Sequence, residues 1–269
     1  WQVDKYDIGT YEVTGFDNNR KPITVTMFRT KAFLKKIVPE LNIKKVREEL
    51  IEDLRNISPL VIKKKRQRPD DKKDLHLLEI SAFDLHLGKI GIKDDKYSLE
   101  IAEERLLKAV EHLLYRAQGY YIDKILFIVG NDLLNSDGDW PIPATTKGTP
   151  QFNSTYHIDM YRCARKLMIK VIDMLSEIAD LHVMVIPGNH DRESIMHLGD
   201  SLQLYYENNK NIKVDNNDCL MKSLTYGNNL VVSDHGDGPK TNDLPGIISQ
   251  RFKNLWSDTV YVEVHRGHY

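Results

Sequence analysis

The sequence predicts a layered α/β domain preceded by a small α+β appendage, and three observations predict it. From Leu75 onward, short runs rich in Ile, Val and Leu alternate with longer stretches of helical periodicity. Before that point the chain shows one hairpin pattern and one helical pattern, then a charged stretch with no apolar residue. The chain has 269 residues, 41% of them hydrophobic, enough for one large domain with a small attachment.

The elements follow in order. Residues Tyr11 to Phe28 alternate in polarity around Asp17-Asn18-Asn19, a cluster of turn formers, which predicts a β-hairpin. Ile43 to Ile57 carries Val46, Leu50, Ile51 and Leu54 at helical intervals, and Ser58-Pro59 ends it. The run from Lys63 to Lys73 is a linker signature, so residues 1–74 are expected to form the appendage and 75–269 the main domain. Strands are expected at Leu75–Ala82, Lys124–Val129, Leu181–Ile186, Leu230–Ser233 and Thr259–Val264. One helix opens at Ser98, a good N-cap, with Leu99, Ala102, Leu106, Val110 and Leu113 on one face. A second begins near Ser154 and carries Ile158, Tyr161, Met168, Val171, Ile172 and Leu175. No repeat of fixed period is visible, which excludes solenoids and propellers.

Composition narrows the function classes. Cys163 and Cys219 lack the paired spacing of a structural zinc site or a disulfide framework, so a reducing, cytoplasmic compartment is expected. No apolar run approaches the roughly 20 residues of a spanning helix and no charged-then-apolar leader opens the chain, so a soluble protein is expected. The net charge of -1 conceals an asymmetry: residues 1–74 carry 18 Lys/Arg against 12 Asp/Glu, the remainder 20 against 27. A basic appendage beside an acidic, cation-binding region suits a polyanionic substrate, although ordinary surface charge reads the same way.

Each of the five strands is followed by residues that bind metals well. They are Asp84-Leu85-His86, Gly130-Asn131-Asp132, Gly188-Asn189-His190-Asp191, Asp234-His235-Gly236-Asp237 and His265-Arg266-Gly267-His268. In open α/β sheets the ligand crevice lies at the carboxyl ends of the strands, so the five loops are expected to converge. Asp84 and His86, two apart in an extended segment, point to one face and can grip one ion. Asp132 is the candidate bridge between two cations, its alternative being an ordinary turn aspartate. In the third loop Asn189 offers a carbonyl oxygen, His190 donates to a leaving oxygen, and Asp191 is placed to hold the His190 imidazole. His235 and His268 complete the set; His76, His112 and His182 read as packing or surface residues, and His157 and His197 stay open. The stretch 135–153 lacks periodicity and contains Trp140 and Lys147. Trp140 is a candidate for stacking on a base, with core packing the alternative, and Lys147 for contacting phosphate.

Taken in order, these motifs resemble the calcineurin-like metallophosphoesterase superfamily, with its Asp-x-His, Gly-Asp, Gly-Asn-His-Asp/Glu, lone His and Gly-His-x-His. The resemblance spans about Leu75 to Tyr269. It implies a four-layer α/β/β/α sandwich holding two divalent metal ions bridged by Asp132 and a hydroxide. By the same resemblance Asp84 and His86 hold the first metal, Asn189, His235 and His268 the second, and His190 supports the leaving group. Two departures stand out. Asn131 intervenes between Gly130 and Asp132, and the sequence stops at Tyr269, one residue short of the family's final histidine, with His265 a possible substitute. Weak occupancy of the first metal is expected on that ground. Donors of oxygen and nitrogen without thiolate suit manganese, iron, zinc or magnesium, with manganese preferred. Leu133-Leu134-Asn135-Ser136-Asp137 in place of Asp-Arg-Gly, with Asp191 closing the third motif, looks closer to the phosphodiesterase and DNA-repair exonuclease branch, including phage-type relatives. The leading expectation is a dinuclear phosphodiesterase, a DNA nuclease; a small-molecule or nucleotide phosphoesterase and a non-catalytic metal-binding scaffold are the alternatives.

Overall fold

The computed structural model describes residues 2–16, 21–35, 75–91 and 96–268, and the chain divides into two compact units, 1–56 and 57–269. The first contains an antiparallel ribbon of β1 (Gln2–Phe16) and β2 (Pro22–Lys35), paired from Gln2↔Lys35 to Phe16↔Pro22. The strands extend well beyond the hairpin expected at 11–28. The helix expected at 43–57 and the linker at 63–73 lie outside the described residues.

The second unit is built on a four-stranded parallel sheet in the order β3 (Leu75–Ser81), β4 (Tyr121–Gly130), β5 (Asp180–Ile186), β6 (Ile212–Asp215). Parallel neighbours need crossovers. They are supplied by α1 (Leu99–Arg116), α2 (His157–Ser176) and α3 (Arg192–Tyr206). The last six residues of β4 and of β5 are all buried, as expected of strands covered on both faces. Three further strands form a second sheet: β7 (Met221–Tyr226) and β8 (Asn229–Asp234) are antiparallel, and β9 (Tyr261–Arg266) lies parallel to β8. Two short helices, α4 (Leu244–Arg251) and α5 (Lys253–Asp258), make the crossover between β8 and β9.

Strand alternation explains the packing. Leu126, Ile128, Met184 and Ile186 project from one face of the parallel sheet and meet Val231 of β8, with Leu77, Phe83 and Leu224 against them. The opposite face of the second sheet gathers Met221, Leu230 and Val232 with Leu244 and Ile248 of α4. On the parallel sheet's other side, α2 packs on β4 and β5 and α3 on β5 and β6. The chain is thus a mixed α/β protein. Among the described residues no helix is long and apolar enough to cross a membrane.

The expected strands are present with ends shifted by up to three residues, whereas β6, β7 and the three helices α3, α4 and α5 were not anticipated. Ser98 caps α1 by accepting from the Ile101 N–H at 3.3 Å. α2 begins at His157 rather than near Ser154, because the Ser154 hydroxyl donates to the Gly88 carbonyl and Asp139 takes the His157 N–H.

His182 in β5 illustrates the energetics of this core. Burial and the neighbouring Lys213 push its pKa down to about 4, against an opposing pull from Asp215. An unfolded histidine takes up a proton near its ordinary value of about 6.5, whereas the folded one stays neutral until about 4. The stabilising contribution is therefore complete above pH 6.5 and is lost as pH falls through that window. In denaturant titrations across this range the wild type is expected to lose more stability toward acid pH than His182→Leu, which has no proton to take up there; equal losses would contradict the assignment.

Candidate metal centre

The loops after β3 and β4 run side by side. The Asp84 N–H donates to the Asn131 carbonyl at 2.9 Å, His86 to Asp132 at 2.9 Å, and Leu87 to Leu133 at 2.7 Å. Making this pairing while turning these side chains inward takes unusual backbone. Asp84 (φ 55°), His86 (46°), Asn131 (58°), Asp132 (64°) and His268 (62°) are the described non-glycine residues with positive φ. Four of the five are expected ligands, and left-handed backbone at such residues costs on the order of 1–3 kcal/mol each. This corrects the expectation that Asp84 and His86 share a face through strand alternation. β3 ends at Ser81, and two left-handed residues, not an extended segment, bring the side chains together.

Asp132 lies at the centre, 1% exposed. Its Oδ1 accepts from the His190 N–H at 2.8 Å, and its Oδ2 is 3.2 Å from His235 Nε2. It belongs to two groups whose ligand atoms lie within 4.8 Å of one another, His86–Asp132–His190 and Asp132–His235–His268. Asn189 Oδ1 approaches His235 Nε2 to 2.7 Å, and His268 Nδ1 is 3.1 Å from the same nitrogen. Asp84 closes the ring: one oxygen is 3.9 Å from His86 Nε2, and the other accepts from the His268 N–H at 3.1 Å. The structure thus brings Asp84, His86, Asp132, Asn189, His235 and His268 to one place. It adds His190, whose ring packs edge-on against His86 with centroids 4.5 Å apart.

The donor set fits divalent cations. Asn189 Oδ1 and Asp132 Oδ2 are both acceptors aimed at one imidazole nitrogen, so positive charge belongs there. Burial pushes the His235 pKa down, but the bond and charge of Asp132, with Asp237 and Asp84, outweigh it and hold the pKa above the usual value. His86 goes the other way. Burial and the nearby His190 take it down to about 4 despite Asp132, leaving a neutral imidazole, and its buried Nδ1 has no hydrogen-bond partner. A neutral imidazole with an unsatisfied nitrogen is a ready metal ligand.

Several loop residues do other work. Asp191 was expected to orient the His190 ring; its carboxylate instead turns back to accept from the Gly188 and Leu134 amides at 3.1 and 3.2 Å. Those two amides are otherwise unpaired where the chain turns off the strand, and burial with the adjacent Asp132 carries the Asp191 pKa up to about 7. The His190 ring is held by the Asn135 carbonyl, 2.8 Å from Nδ1. Asp234 pairs with Arg266 at 2.6 Å, and Asp237 with Arg192 at 3.3 Å. His265 lies within β9, 3.3 Å from Glu79, and belongs to neither ligand group. His157 meets the Ser194 hydroxyl at 2.8 Å.

The segment after Asp132 is ordered by its own bonds. Asn135 reaches Asn153 at 2.8 Å, Asn153 reaches Ser136 at 2.8 Å, and the Thr146 N–H donates to the Asn189 carbonyl at 2.8 Å. Trp140 is 91% exposed, which removes the core-packing alternative, and Lys147 is exposed as well. Asn131 and Asn135 were the residues sequence reasoning did not assign.

Glycine at 188 is required by proximity. A Cβ there would sit 1.9 Å from Asp132 Oδ1 and 2.5 Å from the Asp132 nitrogen. Gly188→Ala is therefore expected to displace the shared carboxylate, lowering bound metal below two ions per chain and turnover by about 10²-fold. Elemental analysis with a chromogenic diester assay reads both; full metal content would refute the assigned crowding.

Comparison with curated proteins and with solved structures gave no match. A family model described as calcineurin-like phosphoesterase matches residues 74–269, and the chain belongs to that family.

Proposed function

We propose that the chain is a phosphodiesterase that cleaves nucleic acid strands, DNA first among them, with two manganese ions. The coarser part follows from family membership: the chain is a metal-dependent hydrolase acting on phosphoester bonds. The observation that carries the reading is one buried carboxylate, Asp132, shared by two clusters of imidazoles. When bound, such ions supply Lewis acidity and an activated water.

The chain's own residues account for the rest. The Asn135 carbonyl fixes the His190 ring by its Nδ1, so Nε2 is the atom turned toward the centre, 3.9 Å from Asp132. From there His190 delivers a proton to the departing oxygen. The donors are oxygen and nitrogen; burial pushes the Cys163 thiol up to about 11, so it offers no thiolate. That donor set supports manganese over softer ions, iron, zinc and magnesium remaining compatible with it.

Two features support a nucleic acid substrate and the exonuclease-like branch. Trp140, Phe152 and Tyr156 are 91%, 79% and 72% exposed on the segment that starts at the His190-holding Asn135. Exposed aromatic faces stack on unpaired bases whatever their sequence. Residues 1–74 carry a net positive charge, which attracts a polyanion, and the exposed Lys147 offers a phosphate contact of its own. Free Cys163 and Cys219 accord with a cytoplasmic setting.

The test compares manganese-dependent cleavage of a labelled single strand of DNA, cleavage of a small chromogenic diester, and a metal-free control. Trp140→Ala is expected to raise KM for the strand and leave the chromogenic diester unchanged; equal effects on both would remove the stacking role. His190→Ala is expected to lower kcat by about 10²–10⁴-fold while two ions stay bound. Loss of an ion in that variant would instead make His190 a ligand.

A further inference from the structure

We infer that Asn131 is a positioning residue that fixes the His235 imidazole with its proton on Nδ1, so that Nε2 is presented to the cation of the second site. The inference rests on the metal-centre reading above and concerns a residue that reading leaves without a role.

The argument begins with the direction of the Asn131 amide. Asn131 is 0% exposed, and its Nδ2 lies 3.3 Å from the Asp234 carbonyl oxygen. A carbonyl only accepts, so the nitrogen of the amide must face it and the oxygen must face the other way. On that other side, Asn131 Oδ1 is 2.5 Å from His235 Nδ1. An amide oxygen also only accepts, so Nδ1 carries the proton. Nε2 faces Asn189 Oδ1 at 2.7 Å and Asp132 Oδ2 at 3.2 Å, so in the charged ring it carries a proton toward those acceptors, and its lone pair becomes available only when a cation replaces that proton. Reversing the tautomer would leave the Asn131 oxygen and Nδ1 facing each other as two acceptors.

The partners of Asn131 are themselves held. Arg266 grips Asp234 through two bonds, Nε to Oδ1 at 2.6 Å and Nη2 to Oδ2 at 3.1 Å, and spans β9 to β8. Gly267 follows directly, and a Cβ on it would lie 2.7 Å from Asn131 Oδ1. The backbone of the His268 loop thus closes over the Asn131 side chain, leaving the amide no room to swing away from His235.

A backbone explanation alone does not cover these facts. Asn131 sits at φ 58°, where asparagine is among the better tolerated residues, and glycine would meet that demand with less strain. Glycine would not supply the buried acceptor. A residue kept only for its turn and one kept for its oxygen therefore predict different outcomes on substitution.

Asn131→Gly removes the acceptor and keeps the left-handed backbone. Each chain, labelled with ¹⁵N-histidine, is examined by long-range ¹H–¹⁵N spectroscopy with zinc bound and, above neutral pH, without it. Zinc affinity is measured by calorimetry. The wild type is expected to show His235 protonated on Nδ1 in both states and on Nε2 only when zinc is absent; an Nδ1 without its proton in either state, or an Nε2 that keeps its proton with zinc bound, would overturn the inference without any variant. Asn131→Gly is expected to weaken one of two zinc sites by about 10- to 100-fold and to mix the tautomers. Unchanged affinity and tautomer in that variant would reduce Asn131 to a turn former. A wild type that takes up no zinc would defeat the functional reading, while the Nδ1 proton measured without zinc still decides this one.

Discussion

The constraint on which the site depends is the placement of one carboxylate, Asp132, with 1% of its surface exposed, where five loops meet. A buried charge is tolerated only when it is surrounded by donors or cations. Burial pulls its pKa up, yet the His235 bond and the His190 N–H outweigh that and hold it below the usual carboxylate value. Asp132 is thus ionised, and its neighbours answer to that charge in different ways. His235 is pushed toward the charged form, Asp191 toward the neutral one, and Gly188 must lack a side chain for the carboxylate to fit.

Why the backbone can hold such a centre follows from the sheet beneath it. β4 and β5 are buried along their last six residues and register Gly130 against Ile186, so the ends of both strands are rigid. The Asn131 N–H continues that ladder to the Ile186 carbonyl at 2.7 Å before the chain turns left-handed. Strain at Asp84, His86, Asn131 and Asp132 is therefore stored on a fixed platform, offset by core packing between the sheets rather than by local comfort. Loops with the same sequence on a softer support would relax toward ordinary φ and lose the convergence.

How much of this was legible in the sequence depends on which physical rule each feature obeys. β4, β5 and β8 were readable because burial forces continuous apolar runs, β3 and β9, only partly buried, because of their Leu, Ile and Val content, and the identity of the loops was readable because glycine, histidine and carboxylate cluster after the strands. α3 also has Ile195, Leu198, Leu202 and Tyr206 at helical spacing, but Gly199 and Asp200 interrupt the pattern. β6 is four residues long, too short for any periodicity to register. Inside the site, the convergence of Asp84 and His86 was anticipated for the wrong reason: alternation governs extended backbone, and this backbone is left-handed. The Asn135 contact was not readable at all, since it is made by a main-chain carbonyl that every residue type possesses.

Asn131 shows where the two kinds of information join. In sequence it is an interruption between Gly130 and Asp132, and taken alone it weakens the case for Asp132 as the shared ligand. In space the extra residue lets the chain make successive left-handed steps at Gly130, Asn131 and Asp132, with φ of 102°, 58° and 64°. Those steps put the Asp132 carboxylate into the centre and the Asn131 amide behind His235. The insertion does not displace the Asp132 carboxylate from the centre; it places a second polar side chain in contact with the same cluster. A polar contact of that kind is what sets the orientation and basicity of a ligating histidine, and it comes from the residue that looked like the defect in the motif.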